Sequence, residues 1–136
     1  MLSRAAALSG LDERFGPGGE LGVVLVDRRE IEALNRAHLG HEGPTDVIAF
    51  DLAEEAPAPG APRLVGEIYA CLDVAAEMGA RLGTGTAYEM VLYCVHGMLH
   101  LAGYDDHGAR ETERMRAAEK RIMGILRDIR DFRDIL

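Results

Sequence analysis

The sequence predicts an α+β fold: a small mixed sheet of three to four strands packed against helices, with a central buried helix that carries histidines. Three observations support this. Three short runs rich in β-branched residues, 21–26 (LGVVLV), 46–52 (DVIAFDL) and 64–71 (LVGEIYAC), have strand length and turn residues around them. The segment 90–102, MVLYCVHGMLHLA, is apolar nearly all round, the pattern of a helix enclosed by its own domain. Beyond it Met115, Ala118, Ile122, Ile125, Ile129 and Phe132 recur at steps of three and four with charges between them, as on an amphipathic helix laid over a core. Strands and helices in this order make layers of helix on sheet, and 136 residues at 48% hydrophobic content suffice for one domain, 1–136, with one modest core.

Taken in chain order, the run at 21–26 is bounded by Gly18-Gly19 and Asp27 and suits a buried strand. Asp27-Arg28-Arg29-Glu30 has the D-x-x-E form of an N-cap with its reciprocal glutamate, so a helix follows to about His38. The second strand is 46–52. Residues 53–63, AEEAPAPGAPR, carry three of the five prolines and read as an exposed connection to the third strand, 64–71. A helix from about Val74 to Leu82 is stopped by Gly83, and Thr86-Ala87-Tyr88-Glu89 is a second capping-box pattern opening the apolar helix. The last helix starts at Ala109 and runs to about Phe132.

Composition narrows the function. A formal charge of −8 argues against a surface that blankets nucleic acid, so any such contact is local. Lys120 is the one lysine among fifteen basic residues, and arginine is the better bidentate phosphate ligand, although a chain-wide bias toward Ala, Gly and Arg explains the ratio equally well. Cys71 and Cys94 each sit in an apolar segment and read as buried free thiols. Residues 1–10 are too weakly apolar for a secretory leader, and no run approaches a membrane span. A soluble, cytoplasmic protein is expected.

The chemistry gathers in 96–107, HGMLHLAGYDDH. His96 and His100 lie four apart on the apolar helix, so both imidazoles leave one face about 6 Å apart along the axis. One buried histidine is ordinarily a hydrogen-bonded core residue; two at this spacing need partners, and a metal satisfies both. Gly103 supplies the turn that brings an acid and an imidazole back toward them. The pattern H-x-x-x-H-x-x-G-x-x-D has the spacing of the metzincin peptidases, with three ligands and an open position as in catalytic zinc. Those enzymes place a glutamate base directly after the first histidine. Here that residue is Gly97, which disfavours a peptidase and suggests that something approaches the backbone there.

HGMLHLAGYDDH resembles the H-G-x-L-H-L-x-G-Y-D-H signature of the YbeY family of metal-dependent endoribonucleases. Leu34-Asn35, residues 44–50 (PTDVIAF) and 65–68 (VGEI) resemble further motifs of that family in register, over roughly residues 20–126. The resemblance implies one zinc ion and hydrolysis of single-stranded RNA in rRNA maturation and ribosome quality control. Its partners would be single-stranded RNA or rRNA and the ribosome or ribosomal proteins, with no membrane and no DNA. Carried over, it makes His96 and His100 the first two metal ligands. For the third, spacing favours Asp106 and ligand chemistry favours His107. Asp105 and Asp106 are candidates to hold or deprotonate the attacking water, or else turn residues capping the last helix. Glu89 is a candidate to orient a ligand, or else only the capping-box glutamate. Leu39 stands where the family has an arginine, so either another arginine such as Arg36 or Arg81 reaches substrate phosphate or the nuclease activity is weaker or altered; His38 and His41 flank the gap, either as a polar contact to substrate or as exposed loop histidines with no role. The alternative is a non-catalytic, metal-stabilised ribosome-assembly factor; a peptidase with a replaced base ranks third.

Overall fold

A central strand with a neighbour on each side organises the molecule. In this computed structural model, which describes residues 1–16, 19–39, 45–53, 59–60 and 63–129, β1 (Glu20–Val26), β2 (Val47–Asp51) and β3 (Leu64–Cys71) form one sheet in the order β1-β3-β2. β3 runs parallel to β1, with Val23 opposite Ile68, and antiparallel to β2, with Ala49 opposite Ile68. The fold is α+β with a small mixed sheet, as the β-branched runs imply, and among the described residues the strands number three. Successive β3 side chains enter opposite layers: Ile68 and Ala70 join the main core, while Tyr69 and Cys71 join a smaller cluster with Val26, Ile31 and Ile48.

β1 departs from expectation. Val24 is 37% and Leu25 50% exposed, and Val26 is the buried residue of the strand. The reason is its place at the sheet edge, where β3 covers it on one side. Apolar content in a short run does not distinguish a central strand from an edge.

At α3 (Arg28–Leu34) the expected capping box is complete. The Glu30 amide donates to Asp27 Oδ1 at 2.8 Å and the Asp27 amide to Glu30 Oε1 at 3.3 Å. The chain continues as a π-helical stretch, Asn35–Leu39. Gly18, His41, Pro44, most of the proline-rich connection, Phe132 and the side chains of Leu39 and Ile129 lie outside the described residues.

α4 (Leu72–Leu82) begins as β3 ends and stops at Gly83, φ 74°. α5 (Thr86–Leu101) is the buried central helix, packed on β2, β3, α1, α4 and α6. Its expected capping box is not formed. The N-cap is Gly85, so Thr86 is already helical and its hydroxyl stands one residue too late to cap. Glu89 is instead buried with Oε2 lacking a hydrogen-bond partner, a condition costing about 1–3 kcal/mol. The close approach at Gly97 is the sheet itself: a Cβ there would stand 3.0 Å from Ile68 Cδ1 and Cγ2. Glycine at this position lets α5 lie flat on β3.

Two N-terminal helices for which the sequence carries no clear pattern, α1 (Leu2–Ser9) and α2 (Leu11–Phe15), bury Ala5, Leu11 and Phe15 in the main core. α6 (Ala109–Ile129) buries Met115, Ala118 and Ile122 as expected, then continues its seam through Met123 and Leu126, with Ile125 partly exposed. A 3.6-residue period drifts in this way from a strict three-four count. Cys71 and Cys94 are free and buried, and burial pushes the Cys94 thiol up to about 11. Among the described residues no helix is long and apolar enough to cross a membrane.

Candidate metal centre

α5 is enclosed on every side but one. Tyr88, Leu92, His96 and His100, four apart, form the stripe along which it meets solvent, joined by Thr86 in its first turn. The two histidines thus sit in the last turns of the helix where its buried body opens outward.

His96 is held. Its side chain is 23% exposed and its Nδ1 lies 2.7 Å from Oε1 of Glu119, which is itself buried on α6 and accepts from Arg116 Nη1 at 2.9 and 2.8 Å. Facing a carboxylate, Nδ1 carries the proton, so in the neutral ring the lone pair is on Nε2. Nε2 faces Asp106 Oδ2 at 3.9 Å. The hydrogen bond to Glu119 raises the His96 pKa against the opposing effect of burial. Burial pushes Glu119 up, but the hydrogen bonds from His96 and Arg116 prevail and hold it below its usual value.

The turn that brings Asp106 back is set by Gly103, φ 113°, where the Gly103 amide donates to the His100 carbonyl and the Tyr104 amide to the Leu99 carbonyl. This pair of bonds is a Schellman closure, with glycine in the position that requires positive φ. Asp105 then accepts from the Asp106 amide at 2.7 Å and from His107 Nδ1 at 2.9 to 3.0 Å. The Asp106 amide, then His107, and to a smaller degree the nearby His100 hold the Asp105 carboxyl below its usual value. Asp105 and Asp106 do not cap α6; the Thr112 hydroxyl donates to the Asp106 carbonyl instead.

One ligand atom from each of Asp105, Asp106 and His107 lies within 4.8 Å of the others. Among the described residues, neither His96 nor His100 belongs to a trio that tight. Asp106 is therefore the shared member, reaching toward His96 on one side and Asp105 and His107 on the other. His100 is exposed, and Asp51 at the end of β2 is held below its usual value chiefly by the Ala53 amide and then by Arg14. Beside it, Arg14 of α2 donates to the Leu101 carbonyl and, at 2.6 Å, to Asp51 Oδ2, tying the end of α5 to β2. The donor types suit zinc, since nitrogen and carboxylate oxygen are among its usual ligands; tetrahedral donors at about 2.0–2.1 Å stand about 3.4 Å apart, so His96 Nε2 and Asp106 Oδ2 at 3.9 Å are near that separation, while His100 lies more than 4.8 Å from at least one of them.

The other expected residues lie elsewhere. Arg36 and His38 are exposed on the π-helical stretch, where His38 stands edge-on to Phe50 with ring centroids 5.3 Å apart. Arg81 is exposed in the last turn of α4. Glu119, Arg116 and Arg14 were not singled out from the sequence. Glu119 had a signal: it lies four after Met115 and three before Ile122, a carboxylate in an apolar seam.

The model of the family described as Endoribonuclease YbeY matches residues 1–127. An Endoribonuclease YbeY of Halorhodospira halophila is 40% identical over 116 residues, covering 84% of this chain and 75% of that protein. One of Salinispora tropica is 38% identical over 136 residues, covering 93% of this chain and 87% of that protein. A Thermotoga maritima protein solved in solution superposes with TM-score 0.58 at 27% identity, covering 93% of this chain and 81% of that one. With a helix-borne histidine pair, a glycine turn and an acid-imidazole return on this mixed sheet, the chain belongs to the Endoribonuclease YbeY family, whose members are named as RNA hydrolases.

Proposed function

We propose that the protein is a zinc-dependent endoribonuclease acting on single-stranded RNA in rRNA maturation and ribosome quality control, in the cytoplasm. The observation that carries the reading is His96, fixed by Glu119 with Nε2 facing Asp106 at 3.9 Å, in a chain of this family. His96, His100 and Asp106 would hold the ion; His107, turned onto Asp105, is the other candidate for the third place. When bound, zinc supplies Lewis acidity toward a phosphate oxygen and lowers the pKa of water.

The chain's own residues do the rest. Glu119 fixes the His96 tautomer and ring plane. Asp105, whose carboxyl the Asp106 amide and His107 hold below its usual value, can accept a hydrogen bond from an attacking water and hold it in place. Arg116 is a cation at the site rim, 62% exposed, available to a phosphate on its outer side. Arg36 and His38 lie on the exposed stretch before Leu39, where substrate backbone would pass. The absence of an arginine at Leu39 favours a second reading, a ribosome-assembly factor that uses the metal for its fold.

Purified protein loaded with zinc and given an unstructured RNA separates the two. Cleavage that vanishes in folded His96→Ala and His100→Ala variants supports the enzyme, and intact RNA under all metals tried supports the assembly factor. Metal content of Asp106→Ala beside His107→Ala identifies the third ligand as the residue whose loss empties the site.

A further inference from the structure

A groove of about 810 Å³ runs between α4 and α5 and reaches Arg116, and apart from that arginine no step above uses its walls. It falls within the usual range for small-molecule sites. Its walls include Arg28 at the start of α3, Asp46 before β2, Glu89 and Tyr93 of α5, and Arg116 of α6. Two of these residues connect it to the metal centre. Arg116 holds Glu119, which holds His96, and the charge of Asp46 acts on His96 and Arg116 as well as on Glu89.

The groove also collects both of the buried, unpartnered side-chain polar atoms found among the described residues: Glu89 Oε2 and Arg28 Nε. Glu89 is 3% exposed. The Arg28 guanidinium pairs with Glu77, and the Arg28 backbone amide donates to Asp73 Oδ2 at 2.8 Å. An acceptor and a donor that lack partners in the wall of one groove, each enclosed in this structure, describe a ligand that carries the complementary pair. The carboxylate asks for adjacent N–H groups; the guanidinium asks for a carbonyl or ring-nitrogen acceptor. Among nucleobases guanine offers both, with N1–H and N2–H toward a carboxylate and O6 and N7 toward an arginine.

We propose that this groove is a base-recognition subsite for a guanine next to the scissile linkage, with Glu89 and Arg28 as the specificity-determining residues. The inference rests on the endoribonuclease reading. Guanine in the groove would place its own phosphate toward Arg116 and the His96 site.

The test uses the four ribonucleoside 5′-monophosphates as probes, titrated into the full-length protein in EDTA and followed by amide chemical shifts. GMP should bind at least about tenfold more tightly than AMP, CMP or UMP, the discrimination of one good bidentate pair. Glu89→Gln, which keeps the shape and removes the carboxylate, should erase the preference with little change in AMP binding. Arg28→Lys, which removes the Nε donor, should weaken GMP by a similar factor. Equal affinity for all four nucleotides, or a guanine preference that survives both substitutions, would overturn the subsite. Cleavage of unstructured RNA by the same zinc-loaded preparation reads the activity separately. Guanine binding without cleavage sinks the nuclease and keeps the subsite; cleavage indifferent to guanine does the reverse.

Discussion

Replacing Glu119 by glutamine tests the central contact of the site. The substitution keeps an oxygen beside His96 Nδ1 and removes the charge. A hydrogen bond to a charged group is worth about 1.5–3 kcal/mol. Arg116, 62% exposed, is rehydrated when released and contributes little. With the amide oxygen still accepting, the metal-free protein should lose about 1–2 kcal/mol, or about 3–8 °C in Tm for a chain of this size. Glu119 is held low in the fold, so its contribution is present above about pH 4.3, the unfolded glutamate value, and is lost as pH falls through the lower folded value. His96 is raised, so its contribution is complete below about pH 6.5 and is lost as pH rises through the higher folded value. In EDTA the gap between wild type and Glu119→Gln should therefore be widest near pH 5.5 and shrink by pH 9. Zinc affinity, measured by competition with a chelating dye, should fall about 10–100-fold. A Tm gap equal at both pH values, or an unchanged zinc affinity, would refute the reasoning.

Other consequences follow from the same contacts. Gly97→Ala inserts a methyl 3.0 Å from Ile68, so an overpacking cost of about 1–3 kcal/mol outweighs a helix-propensity gain of about 1 kcal/mol; urea unfolding should show less than the summed loss when Ile68→Val is added. Asp27→Ala, which opens a formed capping box, should cost about 1 kcal/mol, whereas Thr86→Ala, at a box that is not formed, should stay within about 0.5 kcal/mol by the same measurement. Cys94, pushed up to about 11 by burial, and the fully buried Cys71 should resist an aromatic disulfide reagent in the native protein and both react in denaturant.

The parts of this fold that were legible in the sequence are those where local chemistry and tertiary packing ask for the same residue. Asp27 and Glu30 cap α3 because the cap needs nothing beyond four residues, and Gly83 and Gly103 end their helices because positive φ is a local demand. Thr86 and Glu89 show the opposite case. The pattern was present, but α5 starts one residue early and Glu89 faces the groove. The two N-terminal helices gave little signal because segments of eight and five residues are stabilised by the core they cover rather than by their own periodicity. At the metal centre, the histidine spacing and the glycine turn were readable because a helix and a turn fix them. The residue that orients His96 was not, since Glu119 lies on another helix and only folding brings it within 2.7 Å. Its one trace was a charge placed where the seam of α6 wants an apolar side chain. A carboxylate in that position is costly to bury unless it is paired, so the misfit was itself the evidence that a cationic partner waits across the interface. A polar residue that breaks an otherwise apolar stripe therefore marks a partner, here the His96 ring and the Arg116 guanidinium on either side of Glu119.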